Sequence, residues 1–258
     1  MTMALFSLVG KTALVTGGNG GLGRAIALGL RDAGAQVIVT GRNEEKNSAI
    51  SSALDQTGAV VTLDVRDEAA VEQTMAHVLN NFGHLDILVN NAGLFRGGSV
   101  MDLSQDDWDA VIGTHLTGSF LCAKHAAHVM ISGNAGGKII NIGSIYSLFG
   151  RPGYSDYAAA KTGIVGLTRA LAVELATNDI QVNAILPGWF ETDMSGGLAE
   201  NSRGEEIRRK TPAGRWGNPE DLIGTGVFLA SPASDFVTGT CITVDGGYAI
   251  TDLNVHER

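Results

Sequence analysis

Short apolar runs rich in β-branched residues alternate with longer segments of helical period along the whole chain. Thr12–Thr16, Gln36–Thr40, Val60–Leu63, Ile87–Asn90, Lys138–Ile142, Gln181–Leu186 and Cys241–Val244 read as strands. Between them, Leu22–Ala33, Glu44–Gln56, Glu68–Phe82, Ser155–Leu175 and a segment opened by Pro219 and running to Ala230 read as helices. Gly34 and Gly83 mark two helix ends, and Ser104 is an N-cap for a long helix running towards Met130. Such alternation predicts parallel strands joined by right-handed helical crossovers. No composition break, linker or solenoid-length repeat interrupts it, so residues 1–258 are expected to form one α/β domain, a doubly wound parallel sheet flanked by helices.

Composition narrows the class. A hydrophobic content of 44% with 17% charged residues describes a soluble globular chain with a sizeable core. The net charge of −9 argues against nucleic acid or an anionic membrane as partner. The start, Met1-Thr2-Met3-Ala4-Leu5-Phe6, lacks a basic region followed by a long apolar run, and no apolar stretch is long enough to span a bilayer. Cys122 and Cys241 lie in apolar surroundings without metal-ligand spacing, which suits reduced core thiols in a cytoplasmic protein. No metal-ligand cluster is visible, and no metal is expected.

The first strand, turn and helix carry Gly17-Gly18-Asn19-Gly20-Gly21-Leu22-Gly23. Glycines there permit a tight turn and close approach of a pyrophosphate to free N–H groups at a helix N-terminus. The spacing is Gly17-x-x-x-Gly21-x-Gly23 rather than G-x-G-x-x-G, but the context predicts a bound nucleotide.

Tyr157 and Lys161 stand at i and i+4 in Tyr157-Ala158-Ala159-Ala160-Lys161, so in a helix they share a face. An ammonium beside a phenol favours the phenolate and is expected to lower a pKa that is ordinarily about 10. Ser144, thirteen residues upstream, can hydrogen-bond the same substrate oxygen. The set suits proton transfer to or from a carbonyl or alcohol oxygen.

Thr16-Gly17-x-x-x-Gly21-x-Gly23, Asn90-Asn91-Ala92-Gly93, Ser144, Tyr157-x-x-x-Lys161 and Pro187-Gly188 together resemble the short-chain dehydrogenase/reductase family, in order and over nearly the whole chain. The resemblance implies a Rossmann-like fold, a small-molecule substrate, a nicotinamide dinucleotide and a homotetramer or homodimer. It implies that Tyr157 is the general acid/base, that Lys161 holds the nicotinamide ribose and lowers the tyrosine pKa, and that Ser144 positions the substrate oxygen. It places Gly17, Asn19, Gly21, Leu22, Gly23, Asp64, Val65, Asn91, Ala92, Gly93, Pro187, Gly188, Phe190 and Thr192 against the cofactor. The apolar helices before Met130 and around Ile164–Leu175 resemble those that pair between subunits, and homotetramer is the expected assembly.

Two positions bear on what distinguishes this chain. In Thr114-His115-Leu116-Thr117-Gly118, His115 stands where the family usually has asparagine. It is a catalytic candidate that could titrate near neutrality, or a neutral side chain filling the space. At the end of the second strand, Thr40-Gly41-Arg42-Asn43 lacks the acid that commonly binds both ribose hydroxyls in NAD-preferring folds. Arg42 can pair with a 2′-phosphate, so NADP is expected, with NAD as the alternative.

The segment from Trp189 to about Lys210, with Gly196-Gly197 and a charge run Glu205–Lys210, is expected to form a lid. Phe6-Ser7-Leu8-Val9-Gly10-Lys11, Arg151-Pro152-Gly153, Thr211–Gly217 and Val227–Ser231 resemble sugar-acid members, of the gluconate 5-dehydrogenase and 2-deoxygluconate 3-dehydrogenase type. Arg96 and Arg151 are then the candidate partners of a substrate carboxylate. A 3-oxoacyl-(acyl-carrier-protein) reductase and a non-catalytic cofactor-binding protein are the alternatives.

Overall fold

Seven strands, β1 (Thr12–Thr16), β2 (Gln36–Gly41), β3 (Ala59–Thr62), β4 (Ile87–Asn90), β5 (Gly137–Ile142), β6 (Ile180–Pro187) and β7 (Cys241–Val244), form one parallel sheet. Their order is β3-β2-β1-β4-β5-β6-β7, seen in a computed structural model that describes residues 2–54, 58–252 and 254–256. The order reverses between β1 and β4, and a crevice opens there beyond the carboxyl ends of the strands. This is the doubly wound Rossmann-like α/β fold expected from the sequence.

The helices are α1 (Gly21–Asp32), α2 (Glu44–Ala53), α3 (Glu68–Phe82), α4 (Gln105–Ile112), α5 (Gly118–Gly133), α6 (Ser155–Leu175), α7 (Ser202–Lys210) and α8 (Ile223–Ala230). Side chains of a strand alternate between faces, so a sheet covered on both sides needs apolar residues at consecutive positions. β1 shows why: Ala13 and Val15 join one core with Ile26, Leu30 and Leu229, while Leu14 joins the other with Met75, Met130 and Val182.

Helix α6 occupies the span expected from its periodicity, and α3 starts on its Asp67 cap and stops at left-handed Gly83 (φ 82°). The expected end of α2 at Gln56 lies outside the described residues. The long helix expected after Ser104 runs without a break from Gln105 to Gly133, with one change of pitch inside it. Between α4 and α5 runs one π-turn, Gly113–Thr117, in which the Gly118 N–H reaches back to the Gly113 carbonyl. Gly118 lies against Val65, whose Cγ2 would stand 2.5 Å from a Cβ there, so the helix presses directly on the β3 loop. The Pro219 segment begins as a 3-10 turn, Pro219–Leu222, before α8.

A buried polar ladder ties these layers together. Asn90 Nδ2 donates to the Ser119 carbonyl and to Asn141 Oδ1. Asn141 Nδ2 donates to Thr168 Oγ1 at 2.9 Å, and that hydroxyl donates to the Ile164 carbonyl at 2.7 Å. The ladder joins β4, β5, α5 and α6 beneath the crevice. Thr168→Val keeps the shape of a fully buried residue but leaves the Asn141 amide without its acceptor. We expect a loss of about 1–3 kcal/mol in urea unfolding, with Thr168→Ser recovering most of it.

Candidate active site

The crevice is a cleft of ≈ 680 Å³ lined by the loops after β1, β2, β4, β5 and β6 and by the first turns of α6. Its floor begins at the glycine-rich loop. Gly17 adopts φ +61° and stands so close to the Asn90–Gly93 turn that a Cβ would lie 2.8 Å from Ala92 Cα. Thr16 Oγ1 accepts the N–H groups of Asn91 and Ala92, both at 3.0 Å, and Asn91 Nδ2 donates to the carbonyls of Thr16 and Gly17. The Asn91 side chain is therefore spent on the loop, leaving its residue, Ala92 and Gly93 in the cleft wall. Gly23 does not line the cleft. It lies behind the loop, where a Cβ would strike the Asn91 amide at 2.2 Å and the Gly17 carbonyl at 2.5 Å. Its expected contact with cofactor gives way to a packing role.

Gly20 caps α1 without a side chain, and the first turn of α1 holds no acid, so the helix presents uncovered N–H groups to the cleft. Gly17, Gly21 and Leu22 line this end together with Asn19, whose amide donates to Asn47 Oδ1 at 2.7 Å and packs on Gly41. Arg42 and Val65 also face the cleft, as does Asp64, which Arg66 holds down to about 2 by a two-pronged hydrogen bond. Arg42 lies 3.6 Å from Asp64. A close-approach glycine turn, a helix N-terminus and a cation at the β2 end fit a phosphorylated dinucleotide.

Ser144, Tyr157 and Lys161 converge at the other end, with Pro187, Gly188, Phe190 and Thr192 opposite. Ser144 follows the end of β5 in an extended conformation and its Oγ accepts the Tyr146 N–H. Lys161 is 4% exposed; its Nζ donates to the Ile142 carbonyl at 2.6 Å and lies 5.6 Å from the Tyr157 ring centre. Burial brings this amine down to about 7. Burial also pushes the Tyr157 phenol up to about 12, opposed by a hydrogen bond with Ser144. The expected lowering of the phenol by Lys161 is thus reversed. Desolvation penalises both charged forms, and the ammonium is bound to a carbonyl rather than to the phenolic oxygen.

His115 sits in the π-turn, in the cleft wall, with its ring edge-on to Tyr157 at 5.2 Å. Its Nε2 lies 2.6 Å from the Leu94 carbonyl and 3.1 Å from the Leu94 N–H, while its Nδ1 is buried without a hydrogen-bond partner. Burial, aided by the Lys161 charge, brings its pKa down to about 3. The imidazole is neutral at any working pH, which favours the neutral side chain that fills the space over the group that titrates near neutrality. Its own carbonyl accepts from Ser119 Oγ at 2.7 Å.

The two arginines expected at the substrate do not line the cleft. Arg96 is exposed and reaches Asp107 at 3.4 Å. Arg151 lies one layer behind the wall: its guanidinium stacks 4.6 Å from the Tyr154 ring centre, 5.6 Å from that of Trp189, and donates to the Tyr146 hydroxyl. A planar cation gains more from three aromatic neighbours than from reaching through them. Phe95, Tyr146, Tyr154 and Trp189, which do form that wall, were not singled out from the sequence. Periodicity reads such aromatics as ordinary core. Among the described residues, no group of three or more His, Cys, Asp or Glu side chains could hold a metal.

The family model described as enoyl-(acyl-carrier-protein) reductase matches residues 17–249. The chain is 42% identical to the 2-dehydro-3-deoxy-D-gluconate 5-dehydrogenase of Escherichia coli K12 over 250 residues, 96% of this chain and 99% of that one. It is 40% identical to a 3-oxoacyl-(acyl-carrier-protein) reductase of Vibrio harveyi, covering 93% and 98% of the two chains. A gluconate 5-dehydrogenase from Burkholderia cenocepacia, solved in complex with NADP and tartrate, superposes with a TM-score of 0.92 at 37% identity, over 97% of this chain and all of that one (100%). Sheet order, glycine turn and the Ser144, Tyr157 and Lys161 cluster agree with this likeness along nearly the full length, and the chain belongs to the short-chain dehydrogenase/reductase family.

Proposed function

We propose that this chain is an NADP-dependent oxidoreductase that interconverts a secondary alcohol and a ketone on a sugar acid of the gluconate type. The observation that carries the reaction class is the convergence of Ser144, Tyr157 and Lys161 on one wall of a cleft whose far end fits a phosphorylated dinucleotide. The substrate class rests on the sugar-acid relatives. Bound NADP(H) supplies or accepts hydride.

The chain's own residues do the rest. Ser144 donates to the substrate oxygen and holds it beside the Tyr157 hydroxyl. Tyr157 delivers a proton to that oxygen in reduction and removes it in oxidation. Lys161 holds the ribose end of the cofactor, and its ammonium favours the phenolate as the proton leaves. Gly17, Asn19, Gly21 and Leu22 cradle the pyrophosphate. Asp64, Val65, Ala92 and Gly93, which line the cleft, would hold the adenosine end. Pro187, Gly188, Phe190 and Thr192 would hold the nicotinamide end. Arg42, with no acid at Gly41, favours the 2′-phosphate of NADP.

The segment from Trp189 to about Lys210 acts as the lid. It turns at left-handed Gly196 and Gly197 (φ 55° and 74°) and is anchored beyond the turn by Trp216 Nε1 donating to the Gly204 carbonyl. The charges of α7 pair among themselves, as Glu205 with Arg209 and Glu206 with Arg203. Exposed Phe120 on α5 and Val173 on α6 support a homotetramer through those helices. Among the described residues no helix is long and apolar enough to cross a membrane, and a cytoplasmic enzyme is the proposed setting.

A screen that follows nicotinamide absorbance with NADPH tests the reading. Turnover of 5-ketogluconate or a related keto sugar acid, and none of a β-ketoacyl thioester, is expected. The reverse pattern would make the chain a 3-oxoacyl-(acyl-carrier-protein) reductase. Silence on both panels, with cofactor bound, would support the non-catalytic reading.

The pH profile gives a separate check. In reduction, kcat/KM is expected to fall as pH rises through about 7, where Lys161 loses its charge. Because His115 is brought down to about 3, His115→Asn should leave that inflection in place. Its disappearance would restore the imidazole as a titrating group.

A further inference from the structure

Lys46 reaches across the mouth of the cleft. It stands in the first turn of α2, and its Nζ lies 2.6 Å from Oδ2 of Asp193, the first residue of the 3-10 turn after Thr192. One partner comes from the wall beside β2 and the other from the lid. The ammonium sits over the glycine-rich loop, 3.7 Å from the place a Cβ on Gly20 would take. Thr192 approaches the same loop, 3.6 Å from a Cβ at Gly21. Lys46 thus lies within contact range of the glycine-rich loop and, like Arg42 four residues before it, lines the cleft.

Both members of the pair are exposed, Lys46 at 45% and Asp193 at 79% of the side chain. An ion pair in water is weak and exchanges readily. A phosphate offers a lysine a stronger partner, with more charge and three acceptor oxygens. A 2′-phosphate at the end of β2 would lie within the reach of a flexible side chain that starts four residues after Arg42 and already stands over the glycine loop. A cofactor that ends in a plain 2′-hydroxyl offers Lys46 nothing to exchange for.

We infer that Lys46 is a second cation for the 2′-phosphate of NADP, and that it trades Asp193 for the phosphate when the cofactor binds. The inference rests on the NADP reading of the site. It makes Lys46 a residue that selects between the two nicotinamide cofactors, and Asp193 the competitor that sets how much of that selection is realised.

The test is equilibrium binding at fixed ionic strength. NADPH and NADH are titrated by fluorescence, and 2′,5′-ADP and 5′-AMP by calorimetry, into the wild type, Lys46→Met and Asp193→Asn. Lys46→Met should weaken NADPH and 2′,5′-ADP by about ten-fold or more, the scale of a lost charge-assisted contact, while NADH and 5′-AMP change by less than about two-fold. Asp193→Asn should tighten NADPH and 2′,5′-ADP and leave NADH unmoved. Equal effects of Lys46→Met on all four ligands, or none, would overturn the assignment, and no tightening in Asp193→Asn would overturn the exchange. Wild-type preference for NADH would instead overturn the NADP reading, and the comparison of 2′,5′-ADP with 5′-AMP would still decide Lys46.

Discussion

The Lys161 ammonium donates to the carbonyl of Ile142, the last residue of β5, and much of the site follows from that bond. It ties helix α6 to the carboxyl edge of the sheet. Tyr157, one turn earlier on the same helix, is thereby held over Ser144 at the strand end. Burying an amine and a phenol together is costly, and both respond by resisting charge, Lys161 at about 7 and Tyr157 at about 12. A site in which both groups lean towards neutrality holds a proton on the phenol, ready for delivery, and uses its surroundings to determine when the proton leaves.

The cofactor end depends on backbone approach rather than on charge. Gly17 must pass within contact of Ala92, Gly23 must leave room for the Asn91 amide, and Asn91 in turn fastens the loop through two carbonyls. Thr16 Oγ1 completes the clasp by accepting two N–H groups of the next strand's turn. Side chains at these positions would push the loop off the helix N-terminus that it must expose. The charges lie further out, as Arg42 with Asp64 and Lys46 with Asp193, at the rim where they select rather than build.

Strand and helix alternation was legible because a sheet covered on both faces must be apolar at successive positions, as β1 is at Ala13, Leu14 and Val15. The Ser144, Tyr157 and Lys161 set was legible because i, i+4 spacing fixes a shared helical face. Three features were not. The π-turn at Gly113–Thr117 changes the helical pitch within one apolar run, and the Gly118 that follows it meets Val65 from a distant segment. The direction of the Tyr157 pKa depends on burial, which no spacing reports. Arg151 appeared as an open cation in its loop, yet the fold spends it on Tyr146, Tyr154 and Trp189. Each of these is decided by which residues become neighbours across the chain.

The account stands on the Tyr157 hydroxyl as the group that exchanges the proton. Tyr157→Phe removes that oxygen and leaves the ring packed against His115. Turnover of the preferred keto acid should fall by about 10²–10⁴-fold, the usual worth of a positioned acid, with the dissociation constant for NADPH changed by less than about two-fold. Retained turnover would contradict the account, as would a loss explained entirely by weaker NADPH binding.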